Sequence, residues 1–313
     1  MKILIYVNTK QNLKTNKLLG GVEILNYDLS NHLSKKHNVV LTSTLDKKIK
    51  KIKWDIIISS NDAKIFNSVY SKRKILWLHN KLQIEKAFRK NQLFSLLFNN
   101  IEAVFVSKYL DNKTSKFYNF KKRLVIPNFL PKIYNNQKIN IYKTKRKKKL
   151  VWSVQRSKGL QDFINIWNLK INPLYPKAEL HVFSINPNKN TRYKKNNIFF
   201  HGRVQRKKLI DFYKQSSGMI CLGYDETFCL NAIESMRMGL PVISLCETAL
   251  KEIIKHNRNG FVVNSINKID KTIIKLFNLS DARLNKLSKS SITFAETYNS
   301  QKIFKKWDKL ISD

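Results

Sequence analysis

Two carboxylates, Glu226 and Glu234, separated by seven residues, carry the first chemical signal in this chain. They lie in Tyr224–Leu245, YDETFCLNAIESMRMGLPVISL. Thr227, Phe228 and Cys229 read as a loop, and Leu230–Met238 reads as a helix. Gly239 ends that helix, Pro241 follows, and Val242–Leu245 reads as a buried strand. One carboxylate thus stands at or before a helix N-terminus, and the other about two turns inside the helix. A helix N-terminus offers unpaired N–H groups and a positive dipole end to a diphosphate. A carboxylate beside it accepts hydrogen bonds from vicinal hydroxyls more strongly than a neutral amide does. On this reading Glu226 holds a sugar and Glu234 a ribose. The alternative is a surface glutamate and a helix-face glutamate without a ligand, since helices are rich in Glu.

The elements that must position these residues alternate between strands and helices. In the first half, strand-like runs fall at Ile3–Val7, Val39–Ser43, Asp55–Ser59, Ile75–Leu78, Ala103–Ser107 and Leu124–Ile126. In the second they fall at Leu150–Val154, Leu180–Phe183, Ile198–His201, Gly218–Leu222, Val242–Leu245 and Gly260–Val263. Several are unbroken Val/Ile/Leu runs, as parallel strands covered on both faces require. Right-handed βαβ units and a doubly wound sheet in each half follow.

Further candidates lie at the ends of these strands. Gly20 and Gly21 precede a helical stripe of Val22, Leu25, Leu29 and Leu33, where glycines let a phosphate or sugar approach the backbone. They also read as a plain turn. His79 follows the strand Ile75–Leu78, at the carboxyl edge where parallel sheets bind ligands. There it can donate to a sugar hydroxyl or to developing charge. Arg156 and Lys158, before Gly159, sit at a strand-to-helix turn and can neutralise a diphosphate without metal. Gly202 follows another strand, before a helix over Gln205–Gln215. Ile303, Phe304, Trp307, Leu310 and Ile311 define an amphipathic last helix.

Composition sets the bounds. The chain has 313 residues, 42% of them hydrophobic and 11% aromatic, enough for two domains and not a disordered chain. No apolar run approaches the ~18–20 residues of a membrane-crossing helix, and MKILIYVNTK reads as a first strand rather than a signal peptide. Cys221, Cys229 and Cys246 are odd in number and lack C-x-x-C spacing, which argues against disulfides and zinc and for a reducing cytoplasm. The 60 basic against 21 acidic residues give a net charge of +39. Their spread over the whole chain favours a Lys-rich soluble surface with attraction to anionic membranes over nucleic-acid binding. Lys143–Lys149 (KTKRKKK) reads as a solvated linker. Lys81–Asn99 mixes Phe88, Phe94 and Phe98 with Lys81, Lys86, Arg89 and Lys90; it reads as a core-facing helix or as a basic amphipathic helix on a lipid surface.

The Glu226–Glu234 string, continued by Gly239-Leu240-Pro241-Val242, resembles the signature of family 4 of the retaining glycosyltransferases. Gly20-Gly21-Val22-Glu23, Trp77-Leu78-His79, Ile126-Pro127-Asn128 and the turn with Arg156, Lys158 and Gly159 are similar to other stretches of that family. The spacing of Arg156 and Lys158 is shorter than usual, so which of them meets which phosphate stays open. The resemblance implies a GT-B fold of two Rossmann-like domains facing a cleft. The divisions expected are residues 1–143, residues 144–297, and a helix over 298–313 that crosses back to the first domain. It implies a retaining, metal-independent transferase with a nucleotide-diphosphate sugar as donor and no cofactor. The acceptor would be a glycan or lipid-linked, with peripheral attachment to the inner face of the membrane and no nucleic-acid partner. His79 and Glu226 would position the sugar. Arg156, Lys158 and the helix start around Thr227, Phe228, Cys229 and Leu230 would hold the diphosphate, and Gly202 would lie near the base. A catalytically silent GT-B scaffold or sugar-nucleotide sensor is the alternative, and a nucleic-acid-binding protein a more distant one.

Overall fold

The computed structural model describes residues 1–13, 19–137, 139, 148–184, 194–245 and 248–313, which fall into two compact units. The first comprises Met1–Pro131 with Ser300–Asp313, and the second Lys132–Asn299. The second unit therefore begins ahead of the basic run read as the domain junction. Lys143–Lys147 of that run, and Cys246, lie outside the described residues.

The first unit is built on a six-stranded parallel sheet in the order β2-β1-β3-β4-β5-β6. The strands are β1 (Lys2–Val7), β2 (Asn38–Thr42), β3 (Trp54–Ser60), β4 (Ser71–Leu78), β5 (Ile101–Phe105) and β6 (Lys122–Val125). Ile5 pairs with Ile58, and Ile58 with Ile75, so the centre of the sheet is branched aliphatic and buried on both faces. The chain leaves β1 toward β2 and returns on the other side at β3. The topological switch point, where open α/β sheets bind ligands, thus lies between β1 and β3.

The second sheet runs β13-β12-β11-β7-β8-β10-β9. Its strands are β7 (Lys149–Trp152), β8 (Glu179–Val182), β9 (Lys194–Lys195), β10 (Ile198–Phe200), β11 (Gly218–Ile220), β12 (Val242–Leu245) and β13 (Gly260–Val263). The short edge strand β9 is antiparallel to β10 and departs from the all-parallel expectation. Two Lys residues before Asn196 and Asn197, both at positive φ, carry no apolar signal; the tight turn makes the pairing. Here the switch point lies between β7 and β11.

Lys81–Asn99 also departs from expectation. It is not one helix but two, Ile84–Arg89 and Leu93–Phe98. Asn91 breaks them at φ 52°, and the turn is held by Gln92, whose Oε1 accepts from the Ala63 N–H at 3.2 Å.

The last helix, Ser300–Ser312, belongs to the first unit. Its Ile303, Phe304, Trp307, Leu310 and Ile311 are buried, with Trp307 edge-on to Trp77 at 4.8 Å and Phe304 against Phe129 at 4.7 Å. Arg73 fixes its end. The guanidinium forks onto the buried Glu102 at 2.8 and 2.9 Å and donates to the carbonyls of Leu310 and Ile311 at 2.8 and 3.2 Å, a cation where the helix dipole is negative. Trp307→Ala is expected to destabilise the first unit by about 3–5 kcal/mol. Hydrogen exchange checks it: the amides of β3 and β4 should lose protection, and unchanged protection there would show that the helix is dispensable.

Candidate active site

Two turns meet at the switch point of the second sheet. After β7, Arg156–Lys158 forms one tight helical turn, and Gly159, at φ 99°, starts the helix Leu160–Ile166. A Cβ at Gly159 would meet Leu222 Cδ1 at 2.8 Å and Tyr224 Cε2 at 3.0 Å, so the position needs glycine for both conformation and space. After β11 the chain passes Gly223 at φ 82° and Asp225 at φ 54°. Lys158 Nζ donates to the Asp225 carbonyl at 2.8 Å, joining the two turns. The Arg156 guanidinium stands 5.7 Å over the Phe200 ring at the end of β10.

Glu226 is part-buried in this turn. Burial raises its pKa, the cation of Lys158 opposes that rise, and Asp225 adds to it. Its backbone N–H donates to the Gly223 carbonyl at 3.0 Å, and its carbonyl accepts from Ala249 at 3.3 Å, so the loop is fixed from both sides. Thr227 and Phe228 lead to Cys229, which caps the helix Leu230–Arg237 from a left-handed conformation (φ 69°) without a side-chain cap bond. Phe228 lies edge-on to Tyr298 at 5.6 Å. Arg156, Lys158, Glu226, Thr227, Phe228, Cys229 and Leu230 are thus gathered at one switch point.

Glu234 lies deeper. It is buried; its Oε2 accepts from the Tyr134 hydroxyl at 3.0 Å, and its Oε1 is 3.4 Å from Arg206 Nε. Burial raises the Glu234 pKa and Arg206 opposes it; burial likewise works against the Arg206 charge, and Glu234 together with Tyr134 and Tyr213 leaves the Arg206 pKa raised. Tyr134 and Arg206 were not visible as partners in the sequence, because the helices Lys132–Asn135 and Arg206–Gln215 that carry them are remote in the chain. A second buried set, the Tyr213 hydroxyl on Ser153 Oγ at 2.7 Å and Asn231 Nδ2 on the Ser153 carbonyl at 2.7 Å, ties β7 to the same helix. Gly202, at φ 64° with open space where a Cβ would go, follows β10. Beside it His201 stacks on Phe183 at 4.5 Å and meets His181 at 2.9 Å.

Cys221 and Cys229 bring their sulfurs to 3.7 Å, and together with the Glu226 carboxylate their ligand atoms lie within 4.8 Å of one another. Two cysteine sulfurs and a carboxylate are a donor set that suits zinc, while the neighbouring Cys221 and burial push the Cys229 pKa up, against the thiolate that a metal takes. Chain spacing hides this set, because Cys221 follows the strand β11 and Cys229 caps a helix.

In the first unit the candidates again lie at the carboxyl edge. Gly20 caps the helix Gly21–Leu33 in extended conformation, and a Cβ there would fall on the Glu23 carboxylate. Leu13 and Leu19 pack with Val7 in a small apolar cluster with Val22, Ile24, Tyr27 and Leu41. Asn61, at φ 59° beyond β3, accepts the N–H groups of His79 at 2.8 Å and Asn80 at 3.1 Å through Oδ1. Asn8 Nδ2 reaches Asp62 at 2.8 Å. The His79 ring is buried, 4.5 Å from Trp77, and burial drives its pKa down to about 3. It is a neutral imidazole at ordinary pH, able to donate one N–H.

The two doubly wound units define a GT-B glycosyltransferase fold, and solved structures agree along nearly the whole chain. A sucrose-phosphate synthase from Thermosynechococcus elongatus has a TM-score of 0.74 at 14% identity, covering 100% of this chain and 98% of the other. WaaG, a glycosyltransferase involved in lipopolysaccharide biosynthesis, gives 0.73 at 11%, covering 99% of each chain. The HepE protein of Anabaena, solved with UDP, gives 0.73 at 14%, covering 100% of each. No curated protein matches by sequence. Residues 135–292, just over half of the 313, match the family of glycosyl transferases group 1, and the chain belongs to that family.

The burial of His79 has a consequence for acid stability. Below its ordinary value of 6.5 the unfolded chain takes up a proton that the folded chain refuses until about pH 3. This contribution is present above 6.5 and lost as pH falls, at up to about 1.4 kcal/mol per unit. His79→Gln should therefore flatten the dependence of the urea midpoint on pH between about 7 and 5. An unchanged slope would show that other groups set the acid sensitivity.

Proposed function

We propose that this glycosyltransferase moves a hexose-type sugar, with retention and without a metal, from a nucleotide-diphosphate donor to a glycan or lipid-linked acceptor in cell-surface polysaccharide or glycolipid synthesis. The observation that carries the reading is the meeting of Arg156, Lys158, Glu226 and the start of the helix Leu230–Arg237 at the switch point between β7 and β11. The two cations and the helix N–H groups would take up the charge of the leaving diphosphate. Glu226 would accept from the sugar hydroxyls, with Lys158 favouring its ionised form. Glu234 is assigned to the ribose, and the loop at Gly202 to the base. That HepE was solved with UDP supports a nucleoside diphosphate as the leaving group.

In the proposed step the bond from the anomeric carbon to the diphosphate oxygen breaks and its electron pair stays on that oxygen. The acceptor oxygen then bonds the anomeric carbon on the same face and gives its proton to the leaving phosphate. His79, neutral and fixed through Asn61, is assigned to the sugar.

A thermal-shift panel of nucleotide-diphosphate sugars tests the reading, since a selective donor stabilises by mass action. Lys158→Ala should weaken the donor about tenfold, the loss of one charge-assisted contact. Glu234→Gln, which keeps the shape and removes the charge, should weaken it by about 1–3 kcal/mol. A full donor shift in both variants would remove these residues from the site. Donor binding without sugar transfer or donor hydrolysis would mark a silent scaffold.

Activity is expected to survive EDTA, because Arg156 and Lys158 supply the positive charge. Loss on chelation with recovery on magnesium or manganese would overturn the metal-free mechanism. Recovery on zinc alone would instead assign a metal to Cys221, Glu226 and Cys229.

A further inference from the structure

The two short helices Ile84–Arg89 and Leu93–Phe98 turn apolar side chains into solvent. Phe88 is 70% exposed, Phe94 65%, Phe98 71% and Ile84 47%. The spacing is helical in both: Ile84 and Phe88 are four residues apart, as are Phe94 and Phe98, whose rings lie 4.7 Å from each other. Each helix is anchored by its other side, through Ala87 in the first and through Ser95 and Leu96 in the second. The phenylalanines are therefore displayed by a fixed base, not loosened from a core. Lys86, Arg89 and Lys90 are exposed beside them and make no ion pair among the described residues. Glu85 is the one acidic residue of the two helices.

The contact of Phe94 with Phe98 makes these exposed rings a cluster rather than single scattered residues, and clustered apolar surface marks an interaction site. The cations around them narrow the partner. A second copy of a chain carrying +39 would bring like charge against like. A nucleic acid would meet the cations but leave Ile84 and the ring edges uncovered. A lipid surface with anionic headgroups satisfies both: phosphates meet Lys86, Arg89 and Lys90, and the rings enter the boundary between headgroup and acyl chain. We propose that these two helices dock the protein on an anionic membrane. The proposal adds the surface on which a lipid-linked acceptor would be met. It does not depend on the donor assignment.

Sedimentation with vesicles tests it, using phosphatidylcholine alone and phosphatidylcholine mixed with phosphatidylglycerol. The full chain should bind only the mixed vesicles, and less as salt rises. The set Phe88→Ser, Phe94→Ser and Phe98→Ser should weaken binding at least about tenfold, and so should Lys86→Glu, Arg89→Glu and Lys90→Glu. Reversing Lys271, Lys286 and Lys289, exposed lysines of the second unit, should cost much less. Circular dichroism and the donor-induced thermal shift of each variant, expected to be unchanged, separate this proposal from the donor reading. Equal loss from the control set would assign attachment to diffuse charge and overturn the proposal. So would absence of binding at low salt, binding undiminished by the Phe set, or self-association that the Phe set abolishes.

Discussion

The carboxylate of Glu234 is the constraint on which the second unit turns. Sealing an ionised carboxylate away from water costs several kcal/mol unless neighbours replace its hydration. Here the Tyr134 hydroxyl and the Arg206 guanidinium do so. The two partners belong to helices far apart in sequence, so satisfying one charge brings three helices to one place. Three residues on, Arg237 donates to the carbonyls of Asn135 and Gln137 and lies 2.9 Å from Glu296. The helix Leu230–Arg237 is thus held along its length by polar contacts, and its N-terminal end opens where β7 and β11 part.

What that end presents depends on backbone shape as much as on side chains. Gly223, Asp225 and Cys229 all take positive φ within one short loop. For Asp225 and Cys229, which are not glycines, such conformations persist only where the surroundings over-determine them. Here the surroundings are the bond from Lys158 to the Asp225 carbonyl, the bond from Ala249 to the Glu226 carbonyl, and Phe228 against Tyr298. Glu226 is therefore carried by a loop held from several sides, which fixes the direction in which its carboxylate is presented.

Much of this was legible in the chain, for definite reasons. Every strand read from the Val/Ile/Leu runs exists. The central ones, buried on both faces, must be apolar throughout, and the half-exposed β2 and β6 were carried by short branched runs. The helix after Cys229 and its stop at Gly239 follow from turn chemistry just as local. The edge strand β9 escaped because two lysines carry no apolar signal. The break at Asn91 escaped because one residue in a left-handed conformation, set by a buried Gln92, outweighed a helical pattern on both sides. Tyr134, Arg206 and the sulfur pair escaped for another reason: each contact joins segments that only the folded topology brings together. The meaning of Glu234 was accordingly only half readable. Its place on the helix was visible, but the charge that meets it inside the protein was not.

The helix Ser300–Ser312 sets an order on the birth of the molecule. Trp77 and Phe129, on which Trp307 and Phe304 close, leave the ribosome long before their cover does, and the whole second unit is made in between. Through that interval the wall that the helix supplies is missing, and Arg73 lacks the helix end that it holds in the folded chain. A first half made without that helix would leave the aromatic face of Trp77 and Phe129 open, the kind of apolar surface that chaperones shelter. Closing that face falls to the helix Ser300–Ser312, so the time needed to make the second unit sets how long the face would stay open.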